Sequence, residues 1–144
     1  EKGGQWLLAL AHLREMRQQQ AKPNAISYNA AISACEKGGQ WLLALAQLRE
    51  MRGQRVLPNA ISYNAAISAC GKGGQWQRAM SELGGMRLWH VVPNAISYNA
   101  AINAFEKDGQ WQWAVVHLRE MRQRHVAPND ISFSAAISAC EKGG

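Results

Sequence analysis

The segment PNAISYNAAISACEKGG, residues 23–39, decides the fold of this protein. Its apolar residues Tyr28, Ala31, Ile32 and Cys35 are spaced at i, i+3, i+4 and i+7. This spacing places them in one stripe along an α-helix. The segment therefore predicts a helix, called helix A below, that has one apolar face.

The ends of helix A are marked by residues that stop or cap helices. Pro23 stops the preceding helix, and Asn24 or Ser27 is suited to cap the new one. The glycine pair at 38–39 ends it. A second helix, called helix B, is predicted from position 41 to about position 52, and its apolar flank consists of Trp41, Ala44, Leu45, Leu48 and Met51.

The same pattern recurs along the chain with a period of 35 residues. Pro-Asn occurs at positions 23–24, 58–59, 93–94 and 128–129, and the first four residues return as the last four. A two-helix unit of this size cannot bury its own apolar face, so neighbouring units must stack. We predict an all-α fold, an α-solenoid, whose handedness the periodicity leaves open. Because the chain starts and stops at one phase of the repeat, we expect a segment of a longer array.

The composition is that of a folded, basic protein. Of 144 residues, 47% are hydrophobic and 18% are charged, which argues against disorder. The apolar runs are far shorter than the roughly 20 residues that span a bilayer, so we expect no membrane insertion. The net charge of +6 and the isoelectric point near 9.6 favour polyanionic partners.

Cysteine and histidine occupy ordinary positions of the repeat. Cys35, Cys70 and Cys140 share one position with Phe105, which indicates packing rather than disulfide bonding. Reduced thiols are expected, consistent with an intracellular or organellar compartment. The histidines stand where other units have Gln, Glu or Arg, so we predict surface positions and no metal site for His12, His90, His117 and His125.

The repeat resembles the pentatricopeptide repeat family, whose members bind one RNA base per repeat. The resemblance rests on the 35-residue period and on the quoted segment, and it covers the whole chain. The tetratricopeptide pattern Trp-x-x-Leu-Gly-x-x-Tyr is absent. The resemblance implies a right-handed superhelix. In its frame the complete repeats are 25–59, 60–94 and 95–129, flanked by an orphan helix B (1–24) and an orphan helix A (130–144).

The base-reading positions that the resemblance implies are asparagines. Each base is read by the residue three after the first Ile of helix A, together with the last residue of the same repeat. In the family's code, Asn with Asn reads C or U, with C favoured, and an Asn amide has both a donor and an acceptor. Three consecutive pyrimidines are the predicted target, read by Asn29 with Asn59, Asn64 with Asn94, and Asn99 with Asn129.

The resemblance also implies contacts with base faces and phosphates. The first Ile of each helix A clamps a base between consecutive repeats, which points to Ile26, Ile61, Ile96 and Ile131. A lysine near the end of helix A neutralises a phosphate, which points to Lys37, Lys72 and Lys107. The alternative for these lysines is a cation that stabilises a helix C-terminus. In the last unit Ser134 stands at the reading position, so its base is left open.

The charge distribution weakens the electrostatic argument for RNA. All ten arginines lie outside the helix A segments, which places much of the positive charge on helix B. Glu36, Glu106 and Glu141 stand next to the lysines and offset them, and Gly71 is the exception.

Several residues of helix B depart from the repeat or suggest contacts. Gly84-Gly85 replaces an Arg-Glu pair and lowers helix stability by about 1 kcal/mol per Gly relative to Ala. The helix B that contains this pair should therefore be the least stable. Trp89 is predicted either to pack back over Gly85 or, like Trp113, to contact another protein. The tryptophans that do recur are predicted to lie in the core between repeats: Trp6, Trp41, Trp76 and Trp111.

Two functions from different classes are compatible with the sequence. The first is a single-stranded RNA-binding module for organellar RNA processing or expression, in chloroplast or mitochondrion, without catalysis, cofactor or small-molecule substrate. The zinc-deaminase signature of some editing members is missing, and a targeting peptide is not expected in this segment. The second is a protein-binding scaffold subunit of a large organellar ribosomal or membrane assembly. A consensus-designed array is a third interpretation, disfavoured by the irregular Gly84-Gly85.

Overall fold

Eight α-helices form the part of the chain that this computed structural model describes, residues 4–143. Even-numbered helices are the helix A segments, and odd-numbered helices are the helix B segments. The prediction of an all-α solenoid is confirmed. The helices are α1 (Gln5–Gln18), α2 (Ala25–Lys37), α3 (Trp41–Gly53), α4 (Ala60–Lys72), α5 (Trp76–Leu88), α6 (Ala95–Lys107), α7 (Trp111–Gln123) and α8 (Asp130–Gly143).

The helices pack in two layers. Each helix A contacts the next helix A, so α2, α4, α6 and α8 form one continuous layer. Each helix B lies against the helix A segments that precede and follow it. Within residues 4–143 no two helix B backbones come into contact. Within residues 4–143, equivalent residues of successive repeats therefore come close to one another in the helix A layer.

The apolar stripe of helix A forms the core. Tyr28, Ile32 and Cys35 of α2 are fully buried, and the equivalent residues of α4 and α6 are buried as well. The packing role predicted for cysteine is confirmed for Cys35 and Cys70, since both side chains are fully buried. Burial raises the pKa of both thiols, that of Cys70 to about 12. Cys140 is a free, exposed thiol, so the predicted packing role is wrong for this cysteine.

Each helix A begins with a capping box. The Asn24 side chain accepts a hydrogen bond from the Ser27 backbone amide at 3.0 Å, and the Ser27 hydroxyl faces the Asn24 backbone amide. Both predicted caps are thus used together, and the same arrangement opens α4 and α6. These caps fix asparagine and serine side chains at the start of every helix A.

The recurring tryptophans pack between repeats without being fully buried. A Cβ atom at Gly38 would overlap the indole of Trp6, and one at Gly73 would overlap that of Trp41, so glycine permits this approach. Trp111 is still 38% exposed. The predicted location between repeats is observed, but the prediction of core burial is wrong for Trp111.

His117 is buried, contrary to its predicted surface position. Its side chain is 7% exposed, and its Nδ1 atom lies 2.8 Å from the carbonyl oxygen of Trp113. The ring centroid lies 4.9 Å from that of Phe105, which occupies the position of a smaller cysteine in other units. An aromatic partner and a backbone oxygen therefore hold the imidazole inside.

Neither a metal cluster nor a membrane-spanning helix is found in the described range. Residues 4–143 contain no group of three His, Cys, Asp or Glu residues arranged to hold a metal ion. None of the eight helices is both long and apolar enough to cross a membrane.

Candidate nucleic-acid interface

The six asparagines predicted to read bases form three hydrogen-bonded pairs. Nδ2 of Asn29 donates to Oδ1 of Asn59 at 3.2 Å. The same bond joins Asn64 to Asn94 at 3.3 Å and Asn99 to Asn129 at 3.2 Å. In each pair one residue lies on a helix A and the other caps the next helix A. The structure thus brings together residues that are 30 positions apart in the sequence.

A buried serine joins each pair into a triangle. The Ser62 hydroxyl accepts from the Asn59 backbone amide at 3.0 Å, and its proton is within reach of Oδ1 of Asn29 at 2.5 Å. Ser97 and Ser132 occupy the same place in the next two units, and all three serines are fully buried. Sequence reasoning treated this serine only as a cap. Its recurrence three residues after each Pro-Asn asparagine was the available signal.

The capping box fixes the orientation of both amides. The Ser62 backbone N–H can only donate, so the Asn59 atom that faces it at 3.2 Å is the acceptor Oδ1. The Nδ2 group of Asn59 is then on the side of the amide away from the N-terminus of α4. Because Oδ1 of Asn59 accepts, the atom of Asn29 that faces it is the donor Nδ2. The uncommitted amide hydrogens belong to Nδ2 of both residues, so the pair mainly offers donors.

The isoleucines predicted to sandwich bases form an exposed row. Their exposed fractions are large for β-branched apolar side chains. Each lies one helical turn before the reading asparagine on the same face of helix A. The fractions are 78% for Ile26, 61% for Ile61, 65% for Ile96 and 56% for Ile131.

Accessibility differs among the asparagine pairs. The capping members Asn59, Asn94 and Asn129 are exposed, and Asn29 and Asn64 on helix A are half-buried. Asn99 is 8% exposed. The pair on α6 therefore presents its capping asparagine to solvent more than its helical one.

The predicted phosphate lysines have different surroundings. Lys72 forms a salt bridge with Glu36, which lies 36 positions earlier on the preceding helix A. Within residues 4–143, Lys107 forms no salt bridge, and Gly71 stands where the carboxylate would be. The residue that the period places opposite Lys37 is Glu1, which lies outside the described residues.

Recurring arginines of helix B have a structural role. Arg17 donates to the hydroxyl of Tyr28 at 3.1 Å, and Arg52 and Arg87 make the equivalent bonds to the next two tyrosines. These guanidinium groups lie between a helix B and the following helix A. As predicted, this positive charge is outside the helix A segments.

Trp89 contacts an arginine instead of covering Gly85. The Arg52 guanidinium lies 5.5 Å from the centroid of the Trp89 ring. A Cβ atom at Gly85 would meet no atom within 4 Å, so the predicted packing of Trp89 over this backbone is wrong. Trp89 and Trp113 are each 39% exposed, and their contact with another protein stays a prediction.

Family profiles match nearly the whole described chain. The pentatricopeptide repeat domain matches residues 11–73, and the PPR repeat family matches residues 58–105 and 93–142. The chain belongs to the pentatricopeptide repeat family. No curated protein sequence matches it.

Solved pentatricopeptide repeat structures have the same fold. The protein PPR10 in complex with an 18-nucleotide psaJ RNA element is 26% identical, with a TM-score of 0.83 over 96% of this chain and 20% of that chain. The PPR domain of Arabidopsis thaliana protein-only RNase P 1, in complex with tRNA, is 18% identical, with a TM-score of 0.83 over 99% of this chain and 78% of that chain. PPR10 from maize is 23% identical, with a TM-score of 0.55 over 97% of this chain and 25% of that chain. This pentatricopeptide repeat chain spans about a fifth of the length of PPR10 in the psaJ complex.

Proposed function

We propose that this chain binds single-stranded RNA along its helix A layer and reads consecutive pyrimidines, C in preference to U. The row of three oriented asparagine pairs beside the exposed isoleucines carries the proposal. Similarity to PPR10, which was solved in complex with RNA, supports it. We assign the reading units to residues 25–59, 60–94 and 95–129, each of which ends on a capping asparagine.

The preference for pyrimidines follows from the donors that each pair presents. Cytosine offers two adjacent acceptors, N3 and O2, on its pairing edge, and uracil offers an acceptor on either side of one donor. Cytosine also carries one donor, the N4 amino group, whereas adenine and guanine each offer a single acceptor on this edge, N1 and O6 respectively. The outward Nδ2 groups of Asn59 and Asn29 therefore match cytosine best.

The isoleucine row provides the stacking surface for the same bases. Consecutive helix A segments pack about 8–10 Å apart, which leaves room for a flat base between side chains on neighbouring helices. Ile26 and Ile61 flank the first pair, and the next two isoleucines flank the other pairs. Burial of both base faces removes apolar surface from water without sequence preference.

We further propose that the chain acts in organellar RNA processing or expression, in chloroplast or mitochondrion, by binding without a catalytic step. Membership of the pentatricopeptide repeat family supports an RNA partner for this layer. The proposal needs no cofactor, because every contact is a hydrogen bond, a stacking contact or an ion pair.

A second candidate function, a protein-binding scaffold, is favoured by exposed apolar residues near Trp89. Leu88 and Val92 are 80% and 81% exposed and flank Trp89 in the sequence. Exposed apolar residues around an aromatic side chain are typical of protein contacts.

The test is binding to labelled oligonucleotides of C, U, A or G across a salt series. We expect tighter binding of C and U than of A and G. The combined substitutions Asn29→Ala, Asn64→Ala and Asn99→Ala should abolish this preference, since they remove half of each pair. The matched control is Gln112→Ala, an exposed amide on α7, which should leave the preference unchanged. Binding that is indifferent to base identity would overturn base reading and favour the scaffold.

A further inference from the structure

Of the three interfaces between successive helix A segments, two carry the same set of polar residues and the third differs. At α2–α4 the residues are Glu36, Ser68 and Lys72, and at α6–α8 they are Glu106, Ser138 and Lys142. At α4–α6 the equivalent residues are Gly71, Asn103 and Lys107.

At each of the two flanking interfaces, α2–α4 and α6–α8, a carboxylate of one helix A accepts hydrogen bonds from the next helix A. Glu36 accepts hydrogen bonds from Lys72 and, at 3.5 Å, from the hydroxyl of Ser68. Glu106 accepts from Ser138 at 2.8 Å and from Lys142 at 3.1 Å. The Ser138 hydrogen bond and the charges of Lys142 and Lys107 hold the pKa of Glu106 below its usual range, although burial acts in the opposite direction. Each of these two carboxylates therefore forms a salt bridge with one lysine of the next helix A.

The α4–α6 interface lacks this carboxylate. Gly71 brings no side chain, and a Cβ there would lie 3.1 Å from the Cβ of Ala104, so the helices approach closely at this point. A cavity of about 240 Å³ lies beside it. Its lining includes Ser68, Lys72, Asn103, Glu106 and Lys107.

The charges around this cavity favour an anion. Lys107 has no carboxylate from the preceding helix, because Gly71 occupies that position. Glu106 also lines the cavity, but it already accepts hydrogen bonds from Ser138 and Lys142. A phosphate at the α2–α4 interface would instead face Glu36, whose charge offsets that of Lys72. The charge of Lys107 acts on Glu106, its neighbour in the sequence, but within residues 4–143 no carboxylate forms a salt bridge with Lys107. The Asn103 amide lines the same cavity as a neutral donor.

We propose that the Glu–Lys pairs withhold Lys72 and Lys142 from the RNA backbone, and that a phosphate binds at the α4–α6 interface through Lys107 and Asn103. This inference rests on the proposed function in one respect, namely that the phosphate belongs to single-stranded RNA. It differs from the expectation of one equivalent phosphate lysine per repeat. Contact with the backbone is concentrated at one interface, while base reading is distributed over three pairs.

The salt dependence of binding to a C oligonucleotide measures how many phosphate contacts each lysine makes. Each phosphate contact adds about 0.7 to the slope of log K against log salt for a single strand. Lys107→Gln should lower the slope by about that amount and weaken binding, whereas the matched Lys72→Gln should change it much less. Glu36→Gln should raise the slope by about 0.7, because it frees Lys72 for phosphate. Circular dichroism and thermal unfolding would show that each variant is folded.

The outcomes separate this inference from the proposed function. Equal losses of slope in Lys107→Gln and Lys72→Gln, or no gain in Glu36→Gln, would overturn the inference while base preference stays intact. Absence of RNA binding by the unsubstituted chain would overturn the proposed function instead. A gain of slope in Glu36→Gln together with the unequal lysine losses would establish the withholding pairs.

Discussion

The middle helix pair, α4–α5, differs from its neighbour α6–α7 in how it holds its buried tyrosine. The hydroxyl of Tyr98 accepts from Arg87 at 3.0 Å and donates to Glu120 at 2.8 Å. The hydroxyl of Tyr63 accepts from Arg52 at 3.1 Å, and Gly85 stands where the carboxylate would be. The guanidinium of Arg52 lies over the ring of Trp89.

The difference shows how a repeat tolerates the loss of a recurring partner. Residues 60–94 lack both recurring glutamates, one on each helix, because Gly71 and Gly85 replace them. Helix α5 still runs from Trp76 to Leu88. Trp89, which does not recur, provides Arg52 with a different partner. In a solenoid, stability is a sum over units and interfaces, so one unit can differ without loss of the fold.

The largest expected effect comes from the tyrosine hydroxyls. Tyr98→Phe removes hydrogen bonds to a carboxylate and to a guanidinium and should lower the free energy of unfolding by about 2 kcal/mol. Tyr63→Phe removes only the bond to Arg52 and should cost about 1 kcal/mol. Urea unfolding of both variants measures the difference. Equal losses would show that the missing carboxylate makes no difference to Tyr63.

A smaller effect is expected from restoring the missing carboxylate. Gly85→Ala should stabilise the protein by about 1 kcal/mol through helix propensity. A Cβ at this position meets no atom within 4 Å, so steric strain is not expected. The free energy of unfolding of Gly85→Glu should exceed that of Gly85→Ala by about 0.5 kcal/mol or more, because the carboxylate can pair with Arg52 and Tyr63. Thermal unfolding measures both variants.

Gly84 provides the control for this comparison. It adjoins Gly85, and a Cβ there is equally unhindered, but its position in other units holds an arginine. Gly84→Glu should therefore stabilise the protein no more than Gly84→Ala does. An equal excess of Glu over Ala at both positions would contradict a specific pairing of residue 85 with Arg52.

The subtlest expected difference is in pH dependence. Burial raises the pKa of Glu82 on α5 above the ordinary value of 4.5, with Arg52, Arg49 and Arg78 opposing the shift. The folded state therefore holds this proton more tightly than the unfolded state, so its contribution to stability is present below pH 4.5 and is lost as the pH rises through the folded pKa. Glu82→Gln should remove this loss, which urea midpoints between acidic and neutral pH would measure.

The equivalent position of α3 offers the reverse experiment. Gln47 occupies it, and its Oε1 is buried without a hydrogen-bond partner in the described part of the chain. Gln47→Glu should introduce a fall in stability with rising pH in the same direction. A flat difference between wild type and Glu82→Gln would show that Glu82 titrates alike in both states.

The sequence by itself determined the periodic features. The 35-residue period, the 3.6-residue apolar spacing and the Pro-Asn and Gly-Gly boundaries predicted every helix pair, because these are local rules of helix formation. The resemblance in the repeat also placed the asparagine pairs, which the structure joins by hydrogen bonds. Their base-reading role stays a prediction.

Only the tertiary structure decided which side chains meet across repeats. The Ser62 contact with Asn29, the salt bridge of Lys72 with Glu36 and the burial of His117 against Phe105 join different helices. The first two link residues 33 and 36 positions apart, so they depend on how far one helix is shifted along its neighbour. A one-dimensional period shows that such residues recur. Their contacts are set by helix packing, which fixes the distance and rotation between helices.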